Sequence, residues 1–351
     1  MSIVAQEYDH VIGVDTHART DTFAVVDART GSLLNVDVFP TSPPGLKRGL
    51  TWSRRHATGR VLLVIEGAGS YGASLARLAN TNGWTIVEPA DMPARGGQGK
   101  SDPVDAARIA RSVLSVDTTR LRQPRADQGI REALRILIDA RDTINQERTA
   151  MINTLTALVR TTDLDIDARR RLTKQQITTI AAWRTRTEPI EKHHARTEAT
   201  RLAKRIHTCN QELADNEAEL TALVQASPAA PLLNLTGIGP VCAATILVTW
   251  SHPGRIHSEA AFAAIAGANP IPASSGNTTR YRLNHGGDRR LNRALTTIAN
   301  TRLAHDQATK TYLAKRTTQG MTPRDTKRIL KRYIARHIYR ILEHPTPQPT
   351  T

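Results

Sequence analysis

The stretch "HVIGVDTHARTDTFAVVDARTGSLLNVDVF", residues 10–39, holds three β-rich runs separated by polar turns, the second turn carrying Thr30-Gly31. Short runs joined by tight turns predict an antiparallel meander. Further along, Pro44 to Ala57 reads as a helix, and "RVLLVIEG" (60–67) is the continuous apolar run that a strand buried on both faces requires. "SYGASLARLANTNG" (70–83) has helical spacing, and "WTIVEP" (84–89) supplies another strand. "GKSDPVDAARIAR" (99–111) then opens a helix, with Asp102 as N-cap, Pro103 first and Asp105 third in the helix. Residues 1–120 are expected to form an α/β domain, a mixed sheet flanked by helices.

Beyond it the strands stop. Ile130, Leu134, Leu137, Ile144, Met151, Leu155 and Leu158 recur at three-to-four spacing, interrupted by Arg141 and Arg148. Leu202, Ile206, Cys209, Leu213 and Leu220 form a second series. Residues 121–226 therefore read either as an antiparallel coiled-coil arm used for self-association or, equally, as a small bundle packed on itself. After a Pro/Ala linker, "LTGIGP" (235–240) reads as helix, tight glycine turn and helix, in the manner of helix-hairpin-helix modules. It opens a third, mainly helical domain over residues 227–351.

The 351 residues carry 48 Lys and Arg against 32 Asp and Glu, a net +16. Such an excess points to a polyanionic partner, nucleic acid first. Aromatic residues make up only 4%, which argues against base-stacking platforms and for contacts to the phosphate backbone. Residues 277–336 hold fifteen Lys and Arg and three acids, so most of the excess is local. Arg280, Arg282, Arg289, Arg290, Arg293, Lys327, Arg328, Lys331 and Arg332 are the candidate phosphate contacts there. Cys209 and Cys242 have no partner motif, which excludes a disulfide framework and a thiolate zinc site. No apolar stretch approaches membrane-spanning length and the N-terminus lacks a signal pattern, so the expectation is a cytoplasmic, nucleoid-associated protein without a membrane partner.

Two acids stand where a core would not choose them: Asp15 ends "VIGVD" and Glu66 ends "LLVIE". If their strands are neighbours, both carboxylates emerge at one sheet edge, and a helix starting at Asp102 can add two more. Four carboxylates suit one or two Mg²⁺ ions, as in ribonuclease-H-like nucleases. His17 and His285 are polar loop residues that could assist proton transfer.

Asp15 in "VIGVDTHA", Glu66 in "VIEGAGSYG", and Asp102 with Asp105 in "KSDPVDAARIAR" resemble the DEDD signature of the transposases of insertion-sequence family one-ten. "LTGIGPVCAATIL", "FAAIAGANPIPASSG" and "HGGDRRLNRAL" are similar to that family's C-terminal domain. The resemblance implies a RuvC-like, RNase-H-fold N-terminal domain with Mg²⁺ on the four acids. It further implies a nucleophilic serine, here Ser274 with Ser275 beside it, that forms a phosphoserine link to DNA at element ends and target. A dimer or tetramer and a guide RNA, the element's bridge RNA, are implied as partners. Piv-like DNA invertases share the pattern. Two readings of other classes compete. "GVDTHARTDTFAVVD" also resembles the first phosphate hairpin of actin-like and sugar-kinase enzymes, whose further glycine-rich loops are missing from this sequence. A non-catalytic nucleic-acid-binding protein would use the acids only to cap and pair.

Overall fold

The computed structural model describes residues 2–92, 101–273, 281–282, 284 and 286–344. In chain order its elements are α1 (Val4–Glu7), β1 (His10–Thr16), β2 (Thr20–Asp27), β3 (Leu33–Pro40), α2 (Pro43–His56), β4 (Val61–Ile65), α3 (Ala73–Thr81), β5 (Thr85–Val87) and α4 (Asp102–Arg111). Long helices α5 (Gly129–Thr161) and α7 (Ile190–Gln225) flank the short α6 (Lys174–Ala181). Then come α8 (Pro240–Trp250), α9 (Glu259–Ile265), β6 (Ile271–Pro272), β7 (Tyr281–Arg282), α10 (Arg289–His305), α11 (Gln307–Thr318) and α12 (Pro323–Glu343). The chain divides into two compact units, one of Met1–Gly129, Trp250–Gly287 and Ala335–His344, the other built mainly of Ile130–Thr249 and Asp288–Ile334.

The first unit is centred on a five-stranded mixed sheet in the order β3-β2-β1-β4-β5, the sheet expected of an RNase-H-like domain. β1, β2 and β3 pair antiparallel, while β4 runs parallel to β1 with Val14 opposite Ile65. Period-two alternation divides the strands between two apolar layers. Ile12, Val14, Phe23, Val25, Leu63 and Ile65 pack with α2 and α3, whereas Val11, Val26, Leu62 and Val64 pack with Ile109 and Ala110 of α4. Leu62 to Ile65 are all fully buried, which explains why this run is apolar without alternation. β3 is one of the two edge strands and leaves Leu33, Leu34 and Val38 exposed.

Gly13 sets how closely α4 approaches. A Cβ there would lie 2.1 Å from the Ala106 carbonyl oxygen and 2.5 Å from the Ala110 nitrogen, so only glycine lets the helix backbone rest on β1. The helix itself starts one residue earlier than its sequence indicated. Ser101 is the extended N-cap residue, without a side-chain cap, and Asp102 and Pro103 occupy the first two helical positions. Pro103 fits there because that turn has no intrahelical use for its amide.

In the second unit α5 and α7 run antiparallel. Asn216 Nδ2 donates to the Leu137 carbonyl (3.0 Å), Arg141 Nη1 to the Leu213 carbonyl (2.9 Å), and Arg148 Nη1 to Asn210 Oδ1 (3.1 Å). The two arginines that interrupt the apolar seam are thus its cross-links. At the far end Leu155 and Val159 of α5, Ile177 and Ile180 of α6, and Ala199 to Ile206 of α7 share one core, closed by Leu164 and Leu172. The helix before the "LTGIGP" turn is short and of the 3-10 type, Ala230–Asn234. Pro231 fits its second position, where an amide has no intrahelical partner. None of the described helices is long and apolar enough to cross a membrane.

Candidate active site

β1 and β4 deliver Asp15 and Glu66 to the same end of the sheet. Asp15 is the next-to-last residue of β1, and Glu66 follows the last residue of β4. The Glu66 amide donates to the Val14 carbonyl (3.0 Å), and Thr16 Oγ1 donates to the Glu66 carbonyl (2.8 Å). The two acidic positions are therefore held in register by backbone, with the Glu66 side chain exposed. Asp15 shares the parity of Val11 and Gly13, which is the α4 side of the sheet.

On that side α4 presents Asp102 and Asp105, three residues apart and so on one helical face. His17 Nε2 lies 3.3 Å from Asp15 Oδ2 and 3.8 Å from Asp102 Oδ1. Ligand atoms of Asp15, His17 and Asp102 all fall within 4.8 Å of one another, a grouping that could hold a metal ion. Asp105 is 8% exposed, with Arg108 Nη1 3.6 Å from its Oδ1. Burial raises the Asp15 pKa, His17 opposes the rise, and the negative fields of Asp105 and Asp102 add to it. A cation would relieve both the burial cost and the repulsion, so the donor set suits a hard divalent ion bound mainly through carboxylate oxygens.

Sequence reasoning missed Asp21. It pairs with Thr16 across β1 and β2, is 1% exposed, and accepts the His17 amide (3.3 Å) on Oδ1. Burial, with a smaller push from Asp15, raises its pKa to about 6 against the lowering effects of His17. The available signal was a charged residue entering a strand with no polar alternation to explain it. His17 reads from the sequence as a polar loop residue; its approach to Asp102 depends on α4 lying close to β1.

The basic candidates fall in several settings. Arg282 is exposed on β7 and Arg289 is exposed at the start of α10. Arg290 bridges Asp139 and Asp142 of α5, its Nε 2.9 Å from Asp142 Oδ2, and Arg293 Nη2 lies 3.2 Å from Asp142 Oδ1. Lys331 Nζ donates to Asn292 Oδ1 (2.7 Å), tying α12 to α10, and burial lowers its pKa. Arg328 pairs with Asp325 (2.9 Å), Lys327 is half-buried, and the Nε of Arg332 is buried without a partner among the described residues. Ser274, Ser275, Arg280 and His285 lie outside the described residues. The segment with the two serines falls between β6 and β7, which pair antiparallel with Ile271 opposite Arg282.

Two family models match the chain in order. A transposase model of the DEDD, IS110 type covers residues 12–163, and one described as "Transposase IS116/IS110/IS902 family" covers residues 229–314. The "Insertion element IS110 uncharacterized 43.6 kDa protein" of Streptomyces coelicolor (strain ATCC BAA-471 / A3(2) / M145) is 31% identical over 123 residues, 34% of this chain. That match spans 30% of the relative's length.

Proposed function

We propose, from the premise that the chain belongs to the IS116/IS110/IS902 family of transposases, that it cuts and rejoins DNA at the ends of an insertion sequence and at its target. The observation that carries the reading is the convergence of Asp15 with Asp102 and Asp105 where β1 meets α4, inside the segment matched by the DEDD-type model. Asp15, Asp102 and Asp105, with Glu66 on the neighbouring strand, would hold one or two Mg²⁺ ions. Bound there, Mg²⁺ would neutralise phosphate charge and favour the attacking oxyanion. His17 Nε2, 3.3 Å from Asp15 Oδ2 and 3.8 Å from Asp102 Oδ1, stands where an imidazole could move a proton at the site.

Ser274 is the proposed nucleophile, with Ser275 as the alternative position. Its hydroxyl oxygen would bond to the phosphorus of a phosphodiester while the bond to the leaving sugar oxygen breaks and that oxygen takes a proton. The reverse exchange rejoins the strand. Residues 1–120 would supply the acids, 121–226 self-association into a dimer or tetramer, and 227–351 the serine and phosphate contacts. A guide RNA would select the sites, consistent with many cations and few aromatics.

The test is to incubate the protein with junction DNA, the element's flanking noncoding RNA and Mg²⁺, then resolve a protein-DNA adduct on a denaturing gel. The adduct should be lost in Ser274→Ala and in Asp15→Asn. Loss in Ser275→Ala alone would move the nucleophile by one residue. No adduct and no strand exchange under any RNA and metal condition would overturn the reading.

A further inference from the structure

Away from the acidic centre, the end of the α5–α7 hairpin carries an unassigned charge concentration. Residues 167–204 contain ten Lys and Arg against four Asp and Glu. There the 183–188 turn and the first turns of α7 enclose a recess of about 270 Å³. Its lining includes Arg184, Arg186, Arg196, Arg201 and Lys204, and Glu188 is its one carboxylate.

That carboxylate is already committed. Arg196 is buried, donates to both Glu188 oxygens from Nε (3.0 and 2.8 Å) and adds Nη2 to Oε1 (2.7 Å). Its guanidinium also stacks over Trp183, 4.5 Å from the ring centre. Glu188, Arg196 and Trp183 thus form a fixed wall, and although Arg186 and Lys192 also feel the Glu188 charge, one carboxylate tied to Arg196 offsets only part of the positive charge around the recess. Arg201 is engaged by Glu198 (2.7 Å). Arg184, Arg186 and Lys204 make no hydrogen bond or ion pair through their side chains with any described residue.

Cations gathered around a concave recess repel one another, and an anion inside it would remove that cost. Two features favour a phosphate group over other anions. Guanidinium forks match phosphate oxygens in pairs, and the lining also carries hydroxyls, Thr185 among them, that can donate to such oxygens. The volume accommodates a phosphodiester with its adjoining sugar but not a folded segment.

We propose that this recess is a second nucleic-acid contact, taking a backbone phosphate of an RNA or DNA strand on Arg184, Arg186 and Lys204. The inference rests on the reading of the chain as a nucleic-acid enzyme and extends it to a surface that lies between the two matched segments. It predicts that the helical region holds the strand as well as linking copies of the chain.

The experiment measures binding of the full chain to a fluorescent RNA stem-loop and, separately, to a fluorescent DNA duplex between about 50 and 200 mM salt. Arg184→Ala/Lys204→Ala should lower the slope of log K against log salt by about 0.7 to 0.9, the loss of one phosphate contact, with the affinity loss largest at low salt. The exposed pair Lys47→Ala/Arg48→Ala on α2, which lines no described recess, is the charge control and should retain the wild-type slope. A change with RNA alone, with DNA alone or with both identifies the source of the phosphate. Wild-type slopes for the recess variant on both probes overturn the inference while leaving the function standing. Failure of the wild type to bind either probe overturns the function and this inference with it.

Discussion

Gly13→Ala tests the contact on which the acidic centre depends. The added Cβ would stand 2.1 Å from the Ala106 oxygen and 2.5 Å from the Ala110 nitrogen, both backbone atoms of α4. A comfortable carbon-oxygen separation is about 3.3 Å, so α4 must retreat by roughly 1.2 Å or β1 must bend. Overpacking of this kind costs about 1–3 kcal/mol, and the upper half of that range applies because no flexible side chain can yield. A loss of about 2–3 kcal/mol lowers Tm by about 5–10 °C in a unit of this size. The same displacement carries Asp102 and Asp105 away from Asp15, and misplacement by about 1 Å costs on the order of a hundredfold in rate. Thermal unfolding, Mn²⁺ titration calorimetry and DNA cleavage would be compared with Gly69→Ala, whose Cβ meets nothing within 4 Å. A Gly13→Ala protein with wild-type Tm and metal affinity would refute the account.

Asp21 has a folded pKa near 6 against an ordinary 3.8, so the folded protein binds its proton more tightly than the unfolded chain. Stability of the metal-free protein should therefore fall as pH rises from about 4 to about 6. Asp21→Asn should flatten that fall and gain up to about 3 kcal/mol at pH 7 by urea unfolding. Glu259 behaves oppositely. Arg336 and Arg340 hold its pKa at about 2, below the ordinary 4.5, so its contribution is present above pH 4.5 and disappears as pH falls toward 2. Glu259→Gln should unfold at lower temperature than wild type at pH 7, and the difference should shrink in acid. A divalent ion at a hundred times its dissociation constant should stabilise the wild type by about 2.7 kcal/mol. Asp15→Asn should lose that gain in calorimetric scans while being more stable than wild type without metal, because burial and neighbouring carboxylates disfavour the charge it removes.

The sheet was legible because its strands differ in burial. β1 and β2 sit inside, β4 is covered on both faces, and β3 is exposed along most of an edge, and each leaves its own pattern of apolar residues. Two short runs each ending in an acid marked Asp15 and Glu66, but their shared sheet edge was only conditional until the β1–β4 pairing supplied the adjacency. The helix start was misplaced by one residue because Ser101 and Asp102 both have the chemistry of a cap. The core around Leu164, Leu172 and Ile180 was illegible, since it joins residues of a connecting segment and the two-turn α6, neither long enough to show a repeat, to the long helices. The setting of Arg290 was equally hidden: its partner Asp139 lies 151 residues away, and no local pattern distinguishes a phosphate ligand from such a tie.

The first unit also has a timetable. Trp250 Nε1 donates to Glu343 Oε1 (2.7 Å), Tyr339 donates its hydroxyl to the Ile256 carbonyl (2.6 Å), and Arg340 meets Glu259 (2.7 Å). The 250–256 segment is fastened in turn to the N-terminal part, where the Ala126 amide donates to Ser251 Oγ (2.8 Å). The end of α12 thus belongs to the same unit as Asp15, although roughly two hundred residues of synthesis separate it from Gly129. At about 5–20 residues per second this is on the order of 10–40 s on the ribosome. Throughout that interval a nascent chain owns its acids but not the clamp made by its final helix, and a prematurely terminated one never acquires it.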